Sequence, residues 1–362
     1  MASMSSVAKL PSTRASVSIA KAPPATSACS TSSSLRCGGA TLPLSAAKLF
    51  SENLGSLKIS SIAKVGCRPA SKGVVTVASL EAGVGVMGTK MGRSTETSVP
   101  DLLIVGPGVL GSLVGQLWLK GNEGSIVVGQ SNTTTRHEDL KSVGIVPVVK
   151  DDPQNTEKFP YVIFCAPPSG SEDYAGEVRA AAERWNGEGS LLFTSSSALY
   201  DVNDNSICNE EGGPLVPRGR GPRTDRLLDA EDEILKVGGN VVRLAGLYLL
   251  NRGGHTFYLS KGTIDARPDH TLNLIHYEDA ASLCITILKG ESRGQIYMGC
   301  DNSPITRQEM MDAVDKSGKF DQKFKEFTGV DGPLGKKLYN NSTRKATGWK
   351  PKYESFPSFL GV

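Results

Sequence analysis

The stretch Asp101-Leu102-Leu103-Ile104-Val105-Gly106-Pro107-Gly108-Val109-Leu110-Gly111 decides how the chain is read. Its first half is a short apolar run closed by glycine, the pattern of a buried strand. From Val109 to Lys120, residues Leu110, Leu113, Val114 and Leu117 recur at helical spacing, so a helix is predicted over 109–120. Between the two stands G-x-G-x-x-G. Alone that pattern is weak, but placed between strand and helix it is the fingerprint of a dinucleotide-binding turn. Gly106 allows a tight turn, Gly108 lets backbone approach a pyrophosphate, and Gly111 lets helix pack on strand. The free N–H groups and positive dipole end of the helix then face the phosphates. Gly106, Pro107, Gly108, Val109, Leu110 and Gly111 are therefore candidate cofactor-binding residues. The competing reading is a glycine-rich turn that packs without a ligand.

Outward from this unit the pattern repeats. Further strands are predicted at 125–128, 145–149, 161–166, 189–195 and 240–244. Helices are predicted around Leu140 and over 174–185 and 223–236. Alternating strands and helices give a doubly wound parallel α/β sheet of the Rossmann type, with ligands beyond the carboxyl ends of the strands. After Leu244 loops lengthen. A helix over 305–314, opened by Thr306, and the aromatic tail with Trp349, Tyr353, Phe356 and Phe359 point to a small C-terminal substrate lobe. The expected division is a targeting segment 1–79, a linker 80–99, the Rossmann domain 100–245, and a substrate-side lobe with the last sheet elements, 246–362.

The second strand ends Val128-Gly129-Gln130-Ser131 without an acid, followed by Asn132, Thr133, Thr134, Thr135 and Arg136. An acid there would hold the ribose hydroxyls of NAD and repel a 2′-phosphate. Gln130, Ser131, Thr134 and Arg136 instead suit a 2′-phosphate, so NADP is the expected cofactor and NAD the alternative. Ala166 and Pro167, after the fourth strand, are placed to pass close to the dinucleotide.

The formal net charge of the 362 residues is +3, and basic residues occur singly rather than in runs, which argues against nucleic acid as partner. No apolar run approaches membrane-spanning length. The seven cysteines include no C-x-x-C pair, so neither a metal site nor a redox motif is expected. From Met1 to Phe50 there is no Asp or Glu, while Lys9, Arg14, Lys21, Arg36 and Lys48 are spread among many Ser, Thr and Ala. That composition resembles plant chloroplast transit peptides, with processing near Ala78 and a destination in the stroma. A disordered tail without targeting function is the alternative. The expected partner is a small-molecule substrate; a homo-oligomer is compatible with the sequence.

From Asp101 to Tyr353 the chain resembles the extended short-chain dehydrogenase/reductase group, which includes sugar-nucleotide epimerases and dehydratases. The resemblance rests on Gly106 to Gly111, on Phe193-Thr194-Ser195-Ser196-Ser197-Ala198-Leu199-Tyr200, and on Ala230-Glu231. It continues through Val242-Arg243-Leu244-Ala245-Gly246-Leu247-Tyr248 and Asn273 to Ala281. It implies that Ser196 polarises a substrate oxygen. In the group a Tyr, with Lys four residues later, exchanges the proton. Anchored on Ala230-Glu231, those positions hold Arg223 and Leu227, and none of the nine tyrosines has Lys at the fourth place after it. The chain thus resembles the atypical members that lose the pair. Arg223 or Arg226 can stabilise an oxyanion by charge, and Asp225 or Tyr200 can move a proton; Ser196, Arg223 and Tyr200 are the candidate catalytic residues. Arg243 needs a buried partner and is expected to brace the lobe junction. His276 is open to a structural or a catalytic role. Three functions follow: an NADP(H)-dependent oxidoreductase or epimerase-like enzyme on a small carbonyl or hydroxyl substrate, a non-catalytic NADP(H)-binding sensor or assembly protein, and, least favoured, an RNA- or protein-associated scaffold.

Overall fold

Leu102, Leu103, Ile104 and Val105 form a strand without polar alternation because helices cover both of its faces. In the computed structural model, which describes residues 100–362, Leu102 and Ile104 pack with Val114 and Trp118 on one side. Leu103 and Val105 pack with Val178 and Ile234 on the other. The targeting segment and linker expected at 1–79 and 80–99 lie outside the described residues.

The chain runs through β1 (Leu102–Val105), α1 (Val109–Gly121), β2 (Val127–Ser131), α2 (His137–Ser142), β3 (Val146–Val149), β4 (Phe159–Phe164), α3 (Tyr174–Glu183) and β5 (Trp185–Ser196). A single 3-10 turn, Ser197–Leu199, ends β5. Then come β6 (Asp204–Asn209), α4 (Pro222–Lys236), β7 (Asn240–Leu244), β8 (Gly246–Tyr248), α5 (Gly254–Lys261), β9 (Thr263–Ile264), β10 (Thr271–Leu272) and β11 (Leu274–His276). The remainder is α6 (Tyr277–Lys289), β12 (Ile296–Gly299), β13 (Ile305–Thr306), α7 (Arg307–Ser317), β14 (Glu326–Phe327), β15 (Gly335–Tyr339), α8 (Asn341–Thr347) and α9 (Phe356–Leu360).

Seven strands form one sheet in the order β12-β7-β5-β4-β1-β2-β3, and every neighbouring pair is parallel. The expected doubly wound α/β sheet is therefore present. The chain leaves β1 toward β2 and β3 and returns on the other side at β4 and β5. This reversal splays the connections apart and opens a crevice at the carboxyl ends of β1 and β4. β12 comes from the segment after Leu244, and α6 lies beside α1 on one face of the sheet. β2 begins and ends later than its predicted range, so Gln130 and Ser131 are strand residues.

The lobe is not confined to residues after 246. A second sheet, ordered β13-β10-β15-β6, takes β6 from the connection between β5 and α4. β15 lies parallel to β6, with Leu338 opposite Cys208. Behind it Tyr248, Leu259, Met310, Met311, Val314, Phe356 and Leu360 form a separate apolar cluster. Thr306 opens α7 through a reciprocal capping box: its hydroxyl accepts from Glu309 N at 3.1 Å, and the Glu309 carboxylate accepts from Thr306 N at 2.8 Å. Trp349 ties the tail to α6, donating to Ser282 Oγ at 2.9 Å. No helix among the described residues is long and apolar enough to cross a membrane.

Asp301 follows β12 and is 4% exposed. One carboxylate oxygen accepts from Ser303 N at 2.9 Å; the other has no donor among the described residues. Burial pushes this carboxyl up to about 7. The folded state then holds the proton more tightly than the unfolded chain. The stability this contributes is full below about pH 4 and is lost as pH rises through the folded value. Asp301→Asn, which retains an acceptor for Ser303, is expected to match wild type in urea unfolding at pH 4. At pH 8 it should be more stable by up to about 4 kcal/mol. Equal stability of the two proteins at pH 8 would contradict the burial argument.

Candidate functional site

The turn after β1 is built by three glycines with different physical tasks. Gly106 has φ +82°, and a Cβ there would lie 2.5 Å from Ala166 N. Only glycine fits that conformation and that approach. At Gly111 a Cβ would lie 2.9 Å from both Gly106 O and Ile104 Cγ2, so this glycine seats α1 on β1. Gly108 is different: its nearest neighbour would be Gly106 O at 4.0 Å, and otherwise the space is open. The empty volume over Gly108 faces the crevice.

The first intrahelical bond of α1 runs from Ser112 N to Gly108 O at 2.9 Å. Gly108 provides no side-chain cap, and the N–H groups of Val109, Leu110 and Gly111 have no partner among the described residues. Three donors at the positive end of a 13-residue helix make an anion cradle.

Two compartments meet at this turn. The smaller, about 520 Å³, is lined by Gly106, Pro107, Gly108, Gln130, Ser131, Asn132, Thr133, Arg136, Ala166 and Pro167, together with Lys150 and Arg184. Arg136 reaches back over the turn, its guanidinium donating to Pro107 O at 3.3 Å. Arg184 donates to Gln130 Oε1 at 3.3 Å, and Lys150 pairs with Glu177 at 2.8 Å. Thr134 is the exception among the expected cofactor residues. It does not line the compartment; its carbonyl accepts from His137 N at 3.0 Å and starts α2, while Thr133 takes the lining position. Cys165 borders both compartments, and burial pushes its thiol up to about 12, so it is not a nucleophile at neutral pH.

The larger compartment, about 980 Å³, holds Val109, Leu110 and Gly111 on one side and the end of β5 on the other. Ser196 Oγ accepts from Ala198 N at 3.2 Å, which leaves its O–H free to donate into the cleft. Arg223, the second residue of α4, lines the same space, is exposed, and has no carboxylate partner among the described residues. Leu227, one turn further along, also lines it and is buried. The positions expected of a Tyr and a Lys therefore face the cleft with neither group.

Tyr200 lines the larger compartment, but its surroundings do not suit a proton carrier. Its hydroxyl oxygen is buried without a partner, its ring packs against Arg243 at 5.0 Å, and burial raises its pKa. Asp225 accepts from Gly219 N at 2.9 Å and is spent on that turn. Arg226 is exposed outside the cleft lining. His276 has a structural place: it caps α6 by accepting from Glu278 N at 3.2 Å and packs, rings tilted, 4.2 Å from Tyr353.

Arg243 has the buried partner its position required. Its guanidinium donates to both oxygens of Glu231, at 3.0 and 2.6 Å, and the two side chains are 5% and 3% exposed. Burial opposes the Arg243 charge, and the carboxylate more than offsets it. The pair locks α4 to β7, within the large sheet rather than at a lobe junction. Three cations went unnoticed in the sequence: Arg220, which lines the larger compartment and pairs with Asp201, and two more. Lys336 of β15 and Arg252 after β8 both line the larger compartment. Arg252 donates to Tyr277 Oη at 3.0 Å. No local motif marks either one; only the second sheet brings Lys336 to the end of β5. Among the described residues no cluster of His, Cys, Asp and Glu gathers to hold a metal.

No family model matches the chain, and no curated protein matches it. Solved structures do. A functionally unknown conserved protein from Silicibacter pomeroyi is 20% identical, with a TM-score of 0.60, covering 72% of this chain and 97% of its own. A dTDP-glucose 4,6-dehydratase from Bacillus anthracis, in complex with NAD, is 14% identical with a TM-score of 0.60, covering 72% and 95%. A UDP-glucuronic acid 4-epimerase from Bacillus cereus, also with NAD, is 16% identical with a TM-score of 0.57, covering 72% and 96%. At such identities the likeness establishes the fold.

Two outcomes are expected. Gly108→Val should fold with a melting temperature within a few degrees of wild type, because its side chain meets open space. It should nevertheless lose dinucleotide binding by about 100-fold, roughly 2.7 kcal/mol, in calorimetry. Unchanged affinity would remove the turn from the site. Arg243→Leu should destabilise by about 3–5 kcal/mol by orphaning Glu231, and adding Glu231→Leu should recover part of that loss. Strict additivity in denaturant unfolding would show that the pair is not coupled.

Proposed function

We propose that the protein binds NADP(H) across the crevice and acts in the plastid as an oxidoreductase or epimerase-like enzyme on a small carbonyl or hydroxyl substrate. The observation that carries this reading is the set of free N–H groups on Val109, Leu110 and Gly111, facing space that Gly108 leaves open. A pyrophosphate fits that cradle in charge and in room. The neighbouring solved structures in complex with NAD support a nicotinamide dinucleotide.

NADP is favoured over NAD by the chemistry at the end of β2. Gln130 and Ser131 stand where an acid would exclude a 2′-phosphate, and Arg136 is moored beside them by Pro107 O. Plastid location rests on the acid-free, hydroxyl-rich residues 1–50. When bound, the nicotinamide supplies or removes a hydride. Ser196 then donates a hydrogen bond to the substrate oxygen, and Arg223 adds positive potential at the mouth of α4.

One observation favours a second reading, a cofactor-binding sensor or assembly protein without turnover. Arg223 and Leu227 occupy the positions of the missing Tyr and Lys, and Tyr200 is buried. The two readings separate in one series of measurements. NADPH is expected to bind more tightly than NADH in calorimetry, and Arg136→Ala should erase about tenfold or more of that preference, ~1.4 kcal/mol. A preference for NADH would overturn the NADP assignment. NADPH binding without oxidation by any member of a panel of aldehydes, ketones and nucleotide sugars would select the sensor reading.

A further inference from the structure

Lys336 enters the larger compartment from β15, a strand of the second sheet. Its ammonium donates to Ser197 O at 3.1 Å and to Tyr200 O. Both carbonyls belong to the turn that follows Ser196, the residue whose free O–H faces the cleft. An ammonium has three N–H donors; a neutral amine has two and a lone pair. The two backbone carbonyls occupy two donors in either state. The third position has no acceptor among the described residues, and the residue itself lines the cleft. The turn therefore holds both protonation states in one place. Loss of the third proton leaves a lone pair where that proton was.

Resting on the oxidoreductase reading above, we propose that the ε-amine of Lys336 is the proton-exchanging group of this cleft, in place of the absent Tyr–Lys pair. The surrounding charges leave it free for that task. Asp201, beyond the turn, is ion-paired with Arg220. Glu231 of α4 is committed to Arg243 of β7. Glu210, after β6, accepts from Thr343 N at 2.7 Å through one oxygen, while its other oxygen has no partner among the described residues. Arg223 lines the cleft as a further cation, and Cys208 of β6 is buried with its thiol raised by desolvation. Among the described residues no carboxylate ion-pairs with the ammonium itself, and Asp201, whose charge favours the ammonium form, is drawn off by Arg220. Burial in turn holds Lys336 below the ordinary range of a lysine, which brings its two states closer together near neutral pH.

In the reducing direction a dihydronicotinamide dinucleotide, held at the α1 turn, would supply a hydride to the carbonyl carbon of the substrate. The carbonyl π electrons move onto oxygen, and that oxygen takes one proton from Lys336 while accepting a hydrogen bond from Ser196. The neutral amine regains its proton from water. Carbonyl, reduced dinucleotide and one proton become hydroxyl and oxidised dinucleotide, and the reverse direction runs through the neutral amine as base.

The test is competitive labelling of the full chain with trace acetic anhydride across pH 6 to 11, with Nα-acetyllysine as internal standard and mass spectrometry as readout. It needs no substrate. Lys336 is expected to reach half-maximal reactivity at a lower pH than the standard. Lys336→Arg, which keeps a cation and donors for both carbonyls but stays protonated, is the second arm. It should melt within a few degrees of wild type and bind NADPH unchanged. It should also lower by about 100-fold or more the rate on any aldehyde or ketone that oxidises NADPH with wild type. Labelling of Lys336 in step with the standard, no labelling at all, or an Arg variant with full activity would each overturn the proposal and leave cofactor binding untouched. Failure of wild type to bind NADPH would instead remove the reading beneath it, whatever the labelling gives.

Discussion

The site depends on one steric constraint: Gly106 must pass the Ala166 backbone at a distance no side chain permits. That contact sets the tip of β1 against the end of β4 at the point where the sheet reverses its winding. With β1 and β4 held there, α1 can start only where it does, seated by Gly111 on Ile104. Its first N–H groups are then left without backbone acceptors. A helix end buried beside a cleft with three unpaired donors carries an electrostatic cost until an anion fills it. The fold thus holds these three N–H groups, at a position fixed by packing, on the wall of the cleft.

The opposite wall of the cleft is assembled by a different principle. α4 begins beside the end of β5 because Glu231 and Arg243 are buried against each other and cannot separate without stranding a charge. Arg243 also covers the Tyr200 ring, so the strand-end turn, α4 and β7 are packed together. Lys336 then fastens the second sheet to the carbonyls of that turn. Side chains from the two sheets therefore meet at Ser196, the place where a hydroxyl donor has chemical use.

The large sheet was legible because its signal is local. Apolar runs of strand length, glycines at the turn and helical periodicity over 109–120 each sit within a dozen residues, and all three match the structure. The lining of the smaller compartment was nearly as legible, since most of its expected residues lie at or just after strand ends; Thr134 does not line it, because a turn gives that position to Thr133. The opposite wall was legible only in part, with Ser196 and Arg223 lining the cleft as expected. Tyr200 has the sequence position of a strand-end residue, yet it packs in one apolar cluster with Cys208 of β6 and its hydroxyl is buried. Lys336 lies far along the chain in a strand with no motif, and its role arises only from the pairing of β15 with β6. Long-range pairing in short strands leaves no periodic mark.

The most direct measurement is amide hydrogen exchange at single-residue resolution with and without NADPH. Saturating NADPH is expected to slow exchange at Val109, Leu110 and Gly111 by at least about tenfold, since each N–H gains an acceptor, while amides in the core of β1 change little. Unaltered exchange at those three amides, with NADPH demonstrably bound, would mean that the dinucleotide sits elsewhere and that the cradle at the head of α1 is not its site.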